Sequence, residues 1–291
     1  MIGVDWGTTS LRAYRMDEAG LVLDRHASGN GILNVTNGDF AGTLRAAIAA
    51  WLALGERRVL LSGMIGSRQG WIEAPYLPCP AGAAEIGAAL VRVPFEGAEV
   101  LLVPGLTDAD PSGTPEVMRG EETQIIGVLG ATASATACLP GSHSKWAQVT
   151  DRRVAWFRTY FSGEAFAAMR SATILGRMMT DGPTDLAAFD RGLARAGDPG
   201  HLLHHLFGVR TLGLFHRLRE DESGSYLSGL LIGHEVRAAL SSGATVHLIG
   251  AAPLCALYAR AITRLGATPV IEDSDAAARG LHSIGISAPW T

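Results

Sequence analysis

The sequence contains few cysteines, and no two of them have the spacing of a metal or redox motif. Its three cysteines, Cys79, Cys138 and Cys255, lie far apart in a chain of 291 residues. Isolated cysteines in odd number fit neither a disulfide framework nor a zinc site, so we interpret them as buried thiols in a reducing compartment. We therefore expect a cytoplasmic protein.

Positive charge and long apolar runs are also scarce. The formal net charge is −4 and the basic residues form no stripe, which argues against a nucleic-acid partner. No uninterrupted apolar run reaches about 18 residues, and no charged and apolar leader precedes the first predicted strand. We therefore expect neither a nucleic acid nor a membrane as a partner.

Two common catalytic motifs are missing as well. The chain contains no GxxxxGK[ST] stretch, which argues against a P-loop enzyme. The stretch "GSHSK" lacks the GxSxG spacing of a nucleophile elbow, so a hydrolase built on Ser142 and His143 is disfavoured. Any nucleotide chemistry must therefore use a different phosphate-binding turn.

The amino-acid composition is typical of a globular chain with many tight turns. Hydrophobic residues make up 47% and charged residues 18% of the sequence, which allows a sizeable core. The 36 glycines exceed the roughly 20 expected at the usual frequency. The length suffices for two domains.

The opening stretch "VDWGTTSLRAYRMD" predicts a strand, a tight turn and a second strand. We expect strands over residues 1–5, 11–17 and 20–27, followed by a helix over about residues 39–54. The first strand ends at the carboxylate of Asp5. The N–H groups and hydroxyls of the turn that follows could face a phosphate, although an ordinary hairpin has the same residues.

The second half of the chain repeats this opening. "CLPGSHSKWAQVTDRRVAWFRTYF" again predicts a strand, a glycine and hydroxyl turn, a strand, a charged turn and a strand. Five positions correspond with a constant offset of 134, four by identity and one by a shared hydroxyl: Gly7, Thr8, Ser10, Ala13 and Asp17 fall on Gly141, Ser142, Ser144, Ala147 and Asp151. We therefore predict two domains, residues 1–133 and 134–291, each of which begins with an antiparallel meander.

A third turn follows a late strand. "ATVHLIGAAPLCALYARAITRL" predicts a strand, a small-residue turn at Gly250, Ala251 and Ala252, and a helix that begins near Pro253. Such a turn lets the backbone approach a flat ring or a ribose closely. An ordinary junction between a strand and a helix is the alternative.

This arrangement resembles the actin, hexokinase and Hsp70 superfamily of ATPases. The resemblance implies an α/β fold of two ribonuclease-H-like domains, the actin-like ATPase fold, with an interdomain ATP cleft. More narrowly, "LSGMIGSRQGWIEAPYLPCPAG", "MRGEETQIIG" and "LPGSHSKW" look like stretches of the 2-dehydro-3-deoxygalactonokinase family and occur in the family's order. The first domain would then hold the sugar acid and the second domain the adenosine.

The resemblance implies roles for the turns and for Asp5. Asp5 would lie near Mg²⁺, through water, because this ion keeps much of its hydration shell. The two glycine and hydroxyl turns would bind the phosphates of ATP, and the third turn would bind its adenosine. The implied ATP-binding residues are Gly7, Thr8, Thr9, Gly141, Ser142, His143, Ser144, Lys145, Gly250 and Ala251.

The resemblance also implies a catalytic carboxylate within "MRGEETQIIGVLG". Related sugar kinases carry Gly-Asp-Gln at the start of a helix, and the Asp accepts the proton of the sugar. Alignment from Gly120 favours Glu121, whereas helical phasing directs Glu122 inward with Ile125. Both stay candidates, with Glu121 first, although any carboxylate also suits a helix N-terminus.

The loop "GMIGSRQGW" suggests the site for the acceptor. Arg68 could hold a substrate carboxylate through two parallel hydrogen bonds, with Gln69 beside it, although a surface arginine in a turn is the alternative. Asn30, Arg158 and Glu164 are further candidates to line the same pocket.

The predicted function is phosphorylation of the 6-hydroxyl of 2-dehydro-3-deoxy-D-galactonate by MgATP, a step of galactonate degradation. One alternative is a kinase of another sugar acid, such as 2-dehydro-3-deoxy-D-gluconate. The other is a sugar-sensing regulator without catalysis, which is less favoured because such regulators usually begin with a DNA-binding module and here the first strand begins at Met1. The sequence is compatible with a homodimer but does not fix the oligomeric state.

Overall fold

A computed structural model describes residues 1–241 and 243–291. Within them, the strands are β1 Ile2–Trp6, β2 Leu11–Met16, β3 Val22–Ser28, β4 Arg58–Ser62, β5 Tyr76–Pro78, β6 Val91–Val93, β7 Glu99–Leu102, β8 Gly105–Ala109, β9 Pro115–Met118, β10 Ser134–Leu139, β11 Ser144–Thr150, β12 Arg153–Tyr160, β13 Thr245–Leu248 and β14 Thr268–Ile271. The α-helices are α1 Phe40–Ala53, α2 Ala83–Ala88, α3 Glu121–Leu129, α4 Ser162–Ala172, α5 Leu186–Arg195, α6 Leu202–Leu214, α7 Glu220–Ala239, α8 Ala252–Arg264 and α9 Ala276–Ile286.

The first sheet contains the predicted opening meander: β1, β2 and β3 are antiparallel neighbours, so this prediction is confirmed. Strand β1 has fully buried apolar side chains at Ile2, Val4 and Trp6. It pairs antiparallel with β2 and parallel with β4, and the six-stranded sheet has the order β3-β2-β1-β4-β7-β6. Helix α1 is also confirmed, and the side chain of Asp39 caps it by accepting from the N–H of Gly42 at 2.8 Å.

The second sheet repeats the order of the first. Its strands lie as β12-β11-β10-β13-β14, and β13 runs parallel to both of its neighbours. Only short turns join β10, β11 and β12, so these three strands form an antiparallel meander. The predicted repetition is therefore a repetition of topology.

The chain divides into two compact units. Unit 1 comprises Met1–Ala135, Ala147–Arg158 and Asp273–Thr291, and unit 2 comprises Thr136–Trp146 and Thr159–Glu272. The sequence predicts that the last residues belong to the second domain, whereas Asp273–Thr291 lie in unit 1. The predicted boundaries themselves stay a prediction.

The last helix lies in unit 1 because it packs closely on α3. A Cβ on Gly127 of α3 would lie 1.9 Å from the carbonyl oxygen of Ala276, and one on Gly280 of α9 would lie 1.8 Å from the carbonyl oxygen of Thr123. Only glycines permit such an approach of two helix backbones. Helix α9 therefore holds α3 in place from one side.

A small third sheet leads into α3. Its order is β5-β8-β9, with β8 parallel to β5 and antiparallel to β9. Strand β9 ends at Met118, two residues before Gly120, which is the N-cap residue of α3.

Among the described helices, none combines the length and apolar character needed to cross a membrane.

Candidate active site

Asp5 lies where three backbone segments of unit 1 converge. It is paired with Ser62 at the end of β4. The next residue, Gly63, has a φ of +96°, and a Cβ there would lie 2.7 Å from the carbonyl oxygen of Trp6 and 3.4 Å from Oδ1 of Asp5. A Cβ on Gly120 would lie 3.1 Å from the Cα of Gly63. Glycine at these two positions brings Asp5 close to the start of α3.

The two glutamates at the start of α3 have different surroundings. Glu122 is fully buried, and its carboxylate accepts from the N–H of Gly120 at 2.7 Å and from the hydroxyl of Thr123 at 3.0 Å. Glu121 is partly exposed, and its Oε2 accepts from the N–H of Arg119 at 3.0 Å. The expectation that Glu122 points inward is confirmed, and Glu121 is the more accessible carboxylate.

The electrostatics of unit 1 link these carboxylates. Burial raises the pKa of Asp5 to about 6; the charge of Arg12 opposes this rise and that of Glu121 adds to it. Burial also raises the pKa of Glu122 to about 7, again with a contribution from Glu121. Glu121 is therefore close enough to influence both neighbours. Such perturbed carboxylates are typical of functional sites.

The first predicted phosphate turn lies between β1 and β2. The N–H of Gly7 donates to the carbonyl oxygen of Ser10 at 2.9 Å and closes the turn, while Thr8 and Thr9 are exposed. Gly31 packs on the turn so tightly that a Cβ there would lie 2.3 Å from the backbone of Thr9. Gly31 therefore supports the backbone of the turn on one side, and the two threonines are exposed to solvent.

The second predicted phosphate turn lies in unit 2. Ser142 and His143 are exposed at its tip, and Nε2 of His143 lies 2.5 Å from Oε2 of Glu164. A Cβ on Gly163 would lie 2.3 Å from the carbonyl oxygen of Gly141. The start of α4 therefore packs directly against this turn, which explains why Glu164 meets His143.

The remaining residues of this turn face the interior of unit 2. Lys145 is 5% exposed, and its Nζ donates to the hydroxyl of Thr159 at 2.9 Å. Ser144 is fully buried, with its Oγ 2.9 Å from the hydroxyl of Tyr258. That hydroxyl donates to Oε2 of Glu235 at 2.8 Å. A buried network therefore anchors the base of the turn.

A cavity of about 270 Å³ lies beside the second turn, and Gly141 lines it. Leu254 and Leu257 of α8 form part of its apolar wall. The predicted adenosine turn precedes this helix: Ala251 is the residue before α8, and Gly250 has a φ of +157°. The turn and the cavity therefore belong to one region of unit 2.

The family follows from comparison with known proteins. A family profile described as 2-keto-3-deoxy-galactonokinase matches residues 5–284. The chain belongs to this family. The predicted class, a sugar-acid kinase, is thereby confirmed.

Relatives of this kinase match over nearly their whole length. A probable 2-dehydro-3-deoxygalactonokinase from Rhizobium meliloti (strain 1021) is 36% identical over 99% of this chain and 96% of its own. The 2-dehydro-3-deoxygalactonokinase of Escherichia coli (strain K12) is 32% identical over 97% and 96%. A solved structure of the same type of protein, from Sinorhizobium meliloti, is 34% identical with a TM-score of 0.90 over 99% of both chains.

More distant structures show the fold of the kinase. The activator of 2-hydroxyisocaproyl-CoA dehydratase from Clostridium difficile, solved with bound ADPNP, is 11% identical with a TM-score of 0.50, over 99% of this chain and 95% of its own. The predicted actin-like ATPase fold class is confirmed.

The predicted acceptor-side residues of the kinase each have exposure and contacts of their own. Arg68 has an 87% exposed side chain, and its Nε lies 3.5 Å from Oε1 of Glu73. Gln69 is exposed beside it. Arg158 donates from Nη1 to Oδ2 of Asp108 at 2.7 Å. Their roles stay predictions.

Asn30 and Glu164 also contact other partners. The main-chain oxygen of Asn30 accepts from Nε1 of Trp6 at 2.8 Å, while its side chain is exposed. Glu164 belongs to unit 2 and meets His143. Of the predicted site residues, the structure brings together Asp5, Glu121 and Glu122 in unit 1 and the turn residues in unit 2.

Two charged residues of the kinase escaped the sequence analysis. Arg119 is 8% exposed and directly precedes the Gly-Glu-Glu stretch, a position that could have drawn attention to it. Glu235 is 3% exposed and lies in the mostly apolar stretch "LLIGHEV" of α7. A carboxylate among apolar helix residues is a usable signal, because burial without partners is costly.

Proposed function

We propose that this kinase transfers the γ-phosphoryl group of MgATP to the 6-hydroxyl of 2-dehydro-3-deoxy-D-galactonate. The names of the curated relatives support this substrate. The observation that carries the chemical part of the proposal is the carboxylate cluster at the start of α3. There a partly exposed Glu121 lies within electrostatic reach of Asp5.

Glu121 is the proposed base. Its carboxylate would accept a hydrogen bond from the 6-hydroxyl of the sugar acid and orient the oxygen towards phosphorus. As the bond from that oxygen to phosphorus forms, the bond to the bridging oxygen of ADP breaks, and the hydroxyl proton passes late to Glu121. Glu122 is less suited to this step because both of its oxygens are engaged within the fold.

Asp5 is the proposed residue at the metal. Mg²⁺ is usually bound through one or two carboxylates together with waters and substrate phosphates. A half-buried carboxylate with another beside it suits such a cation, since positive charge would offset the burial that raises the pKa of Asp5. Bound Mg²⁺ would neutralise charge on the phosphates.

The nucleotide is proposed to bind to unit 2 through its base and ribose. The cavity beside Gly141 has apolar walls and a few polar groups, as small-molecule sites usually do. Ser142 and His143 at the tip of the second turn, and Thr8 and Thr9 of the first, would contact the phosphates. The small residues Gly250 and Ala251 would let the backbone come close to the adenosine.

The cytoplasmic location and the homodimer stay predictions.

A coupled ADP-release assay tests the proposal with the galactonate substrate, its gluconate epimer and neutral hexoses. We expect turnover of the galactonate-derived acid above all others. Glu121→Gln should lower kcat by about 10² to 10⁴-fold, the usual worth of a general base, while the KM for ATP stays close to the parent value.

Glu122→Gln is the matched control, because it changes the neighbouring carboxylate in the same way. If only this control loses turnover while it stays folded, Glu122 is the base. If neither variant loses turnover, Asp5 is the next carboxylate to examine.

A further inference from the structure

Arg119 is a buried cation with little of its hydrogen-bonding capacity used. It is 8% exposed, its Nη2 donates to the carbonyl oxygen of Ala74 at 2.8 Å, and its Cζ lies 4.4 Å from the centre of the Tyr76 ring. Its Nε and Nη1 are buried and have no acceptor among residues 1–241 and 243–291. These two atoms carry three N–H groups, and leaving such donors unpaired is costly.

A second unpaired group lies in the segment that surrounds this guanidinium. The hydroxyl of Ser67 is buried and, within the part of the chain that the structure describes, has no partner. Ser67 follows Gly66, where a Cβ would lie only 3.0 Å from Nη1 of Arg119. The residue next to the one that contacts the guanidinium thus carries a buried hydroxyl without a hydrogen-bond partner, and a hydroxyl beside a cation is a suitable pair of donors for an anion.

The other arginines considered for the acceptor already have a carboxylate beside them. Arg68 is ion-paired with Glu73 and exposed, and Arg158 is ion-paired with Asp108. Arg119 has no ion-pair partner at salt-bridge distance in the described residues. Of these three arginines, Arg119 is the one without a carboxylate partner in the described part of the chain.

Arg119 is also well placed relative to the proposed base. The backbone N–H of Arg119 donates to Oε2 of Glu121. The guanidinium group is therefore separated from this hydrogen bond by the length of the arginine side chain. An extended arginine side chain is comparable in length with a six-carbon chain. We therefore expect that a sugar acid whose 6-hydroxyl meets Glu121 reaches Arg119 with its carboxylate.

We infer that Arg119, with the hydroxyl of Ser67, binds the carboxylate of the sugar acid and so selects acids over neutral sugars. This inference rests on the proposed function, because it takes the substrate from it. Gly66, Ala74 and Tyr76 surround the guanidinium, so the segment that contains them must shift when the carboxylate binds. That segment is held to Arg119 by one hydrogen bond and one ring contact.

The test compares two ligands, the sugar acid and its neutral carboxamide, by calorimetry and by the coupled kinase assay. In Arg119→Met we expect affinity for the acid to fall by about 30-fold or more, as for truncation of one member of a charge pair. Affinity for the carboxamide and the KM for ATP should change little, so that discrimination between acid and amide is lost. Arg119→Lys should restore part of it, since the charge returns without the planar fork.

Arg45→Met is the matched control. Arg45 also lies over an aromatic ring, that of Phe95 at 4.7 Å, and donates to a main-chain oxygen, that of Glu96 at 2.9 Å, but it is exposed. The control should keep full discrimination between acid and amide. If Arg119→Met lowered the affinity for the acid and for the carboxamide equally, the role of Arg119 would be purely structural and the inference would be overturned.

The remaining outcomes separate this inference from the proposed function. Loss of discrimination in Arg68→Ala but not in Arg119→Met would place the carboxylate at Arg68 and overturn the inference. Failure of the parent protein to bind the acid would overturn it as well. Binding of the acid that depends on Arg119, without any turnover, would support the inference and contradict the proposed function.

Discussion

Replacing Glu122 with glutamine should change how the stability of the protein depends on pH. The carboxylate is fully buried, and burial raises its pKa from 4.5 to about 7. Glutamine has the same shape and can keep both contacts. Its oxygen can accept from the N–H of Gly120, and its amide can donate to Thr123, whose hydroxyl then donates to Ser62 at 2.7 Å.

The magnitude follows from the two pKa values of Glu122. The folded state holds the proton more tightly than the unfolded state, so the stability from protonated Glu122 is complete below pH 4.5 and is lost as the pH rises through about 7. Between pH 5 and pH 8 this loss is on the order of 2 kcal/mol in the free energy of unfolding. A glutamine at this position does not titrate, so the variant escapes the loss.

Urea unfolding at several pH values measures this difference. Relative to the parent, Glu122→Gln should gain on the order of 2 kcal/mol in unfolding free energy as the pH is raised from 5 to 8. Glu121→Gln should change the pH profile less, because burial raises the pKa of Glu122 more than the neighbouring charge of Glu121 does. Parallel pH profiles for the parent and Glu122→Gln would refute the reasoning, because they would mean that the buried carboxylate is not protonated more readily than an exposed one.

Two further predictions concern unit 2. A Cβ on Gly141 would meet nothing within 4 Å, so Gly141→Val should fold normally but bind ATP more weakly in calorimetry, because the side chain obstructs the phosphates; equal affinity would count against the turn as a phosphate site. Tyr258→Phe removes the hydroxyl between Ser144 and Glu235, and urea unfolding should show a loss of about 1–3 kcal/mol. Unchanged stability would mean that this buried bridge contributes nothing.

Local patterns in the sequence were sufficient for the elements that depend on near neighbours. Apolar runs broken by turn residues predicted both meanders, because a buried strand needs apolar side chains and the turns between strands need glycine, hydroxyl or charged residues. The helical spacing of apolar residues predicted α1. The position of Asp5 at the end of β1 followed from the same patterns, whereas the place of the Gly-Glu-Glu stretch at the start of a helix followed from the family resemblance.

The roles of the individual charged residues depended on tertiary contacts. Helical phasing indicated that Glu122 faces inward, but only the packing around Gly120 and Thr123 decided that its carboxylate is fully engaged there. Which arginine lacks a counter-ion likewise depended on partners distant in sequence, such as Asp108 for Arg158 across 50 positions. Burial and ion pairing are properties of the assembled fold, so the sequence supplied the candidates and the three-dimensional contacts distinguished among them.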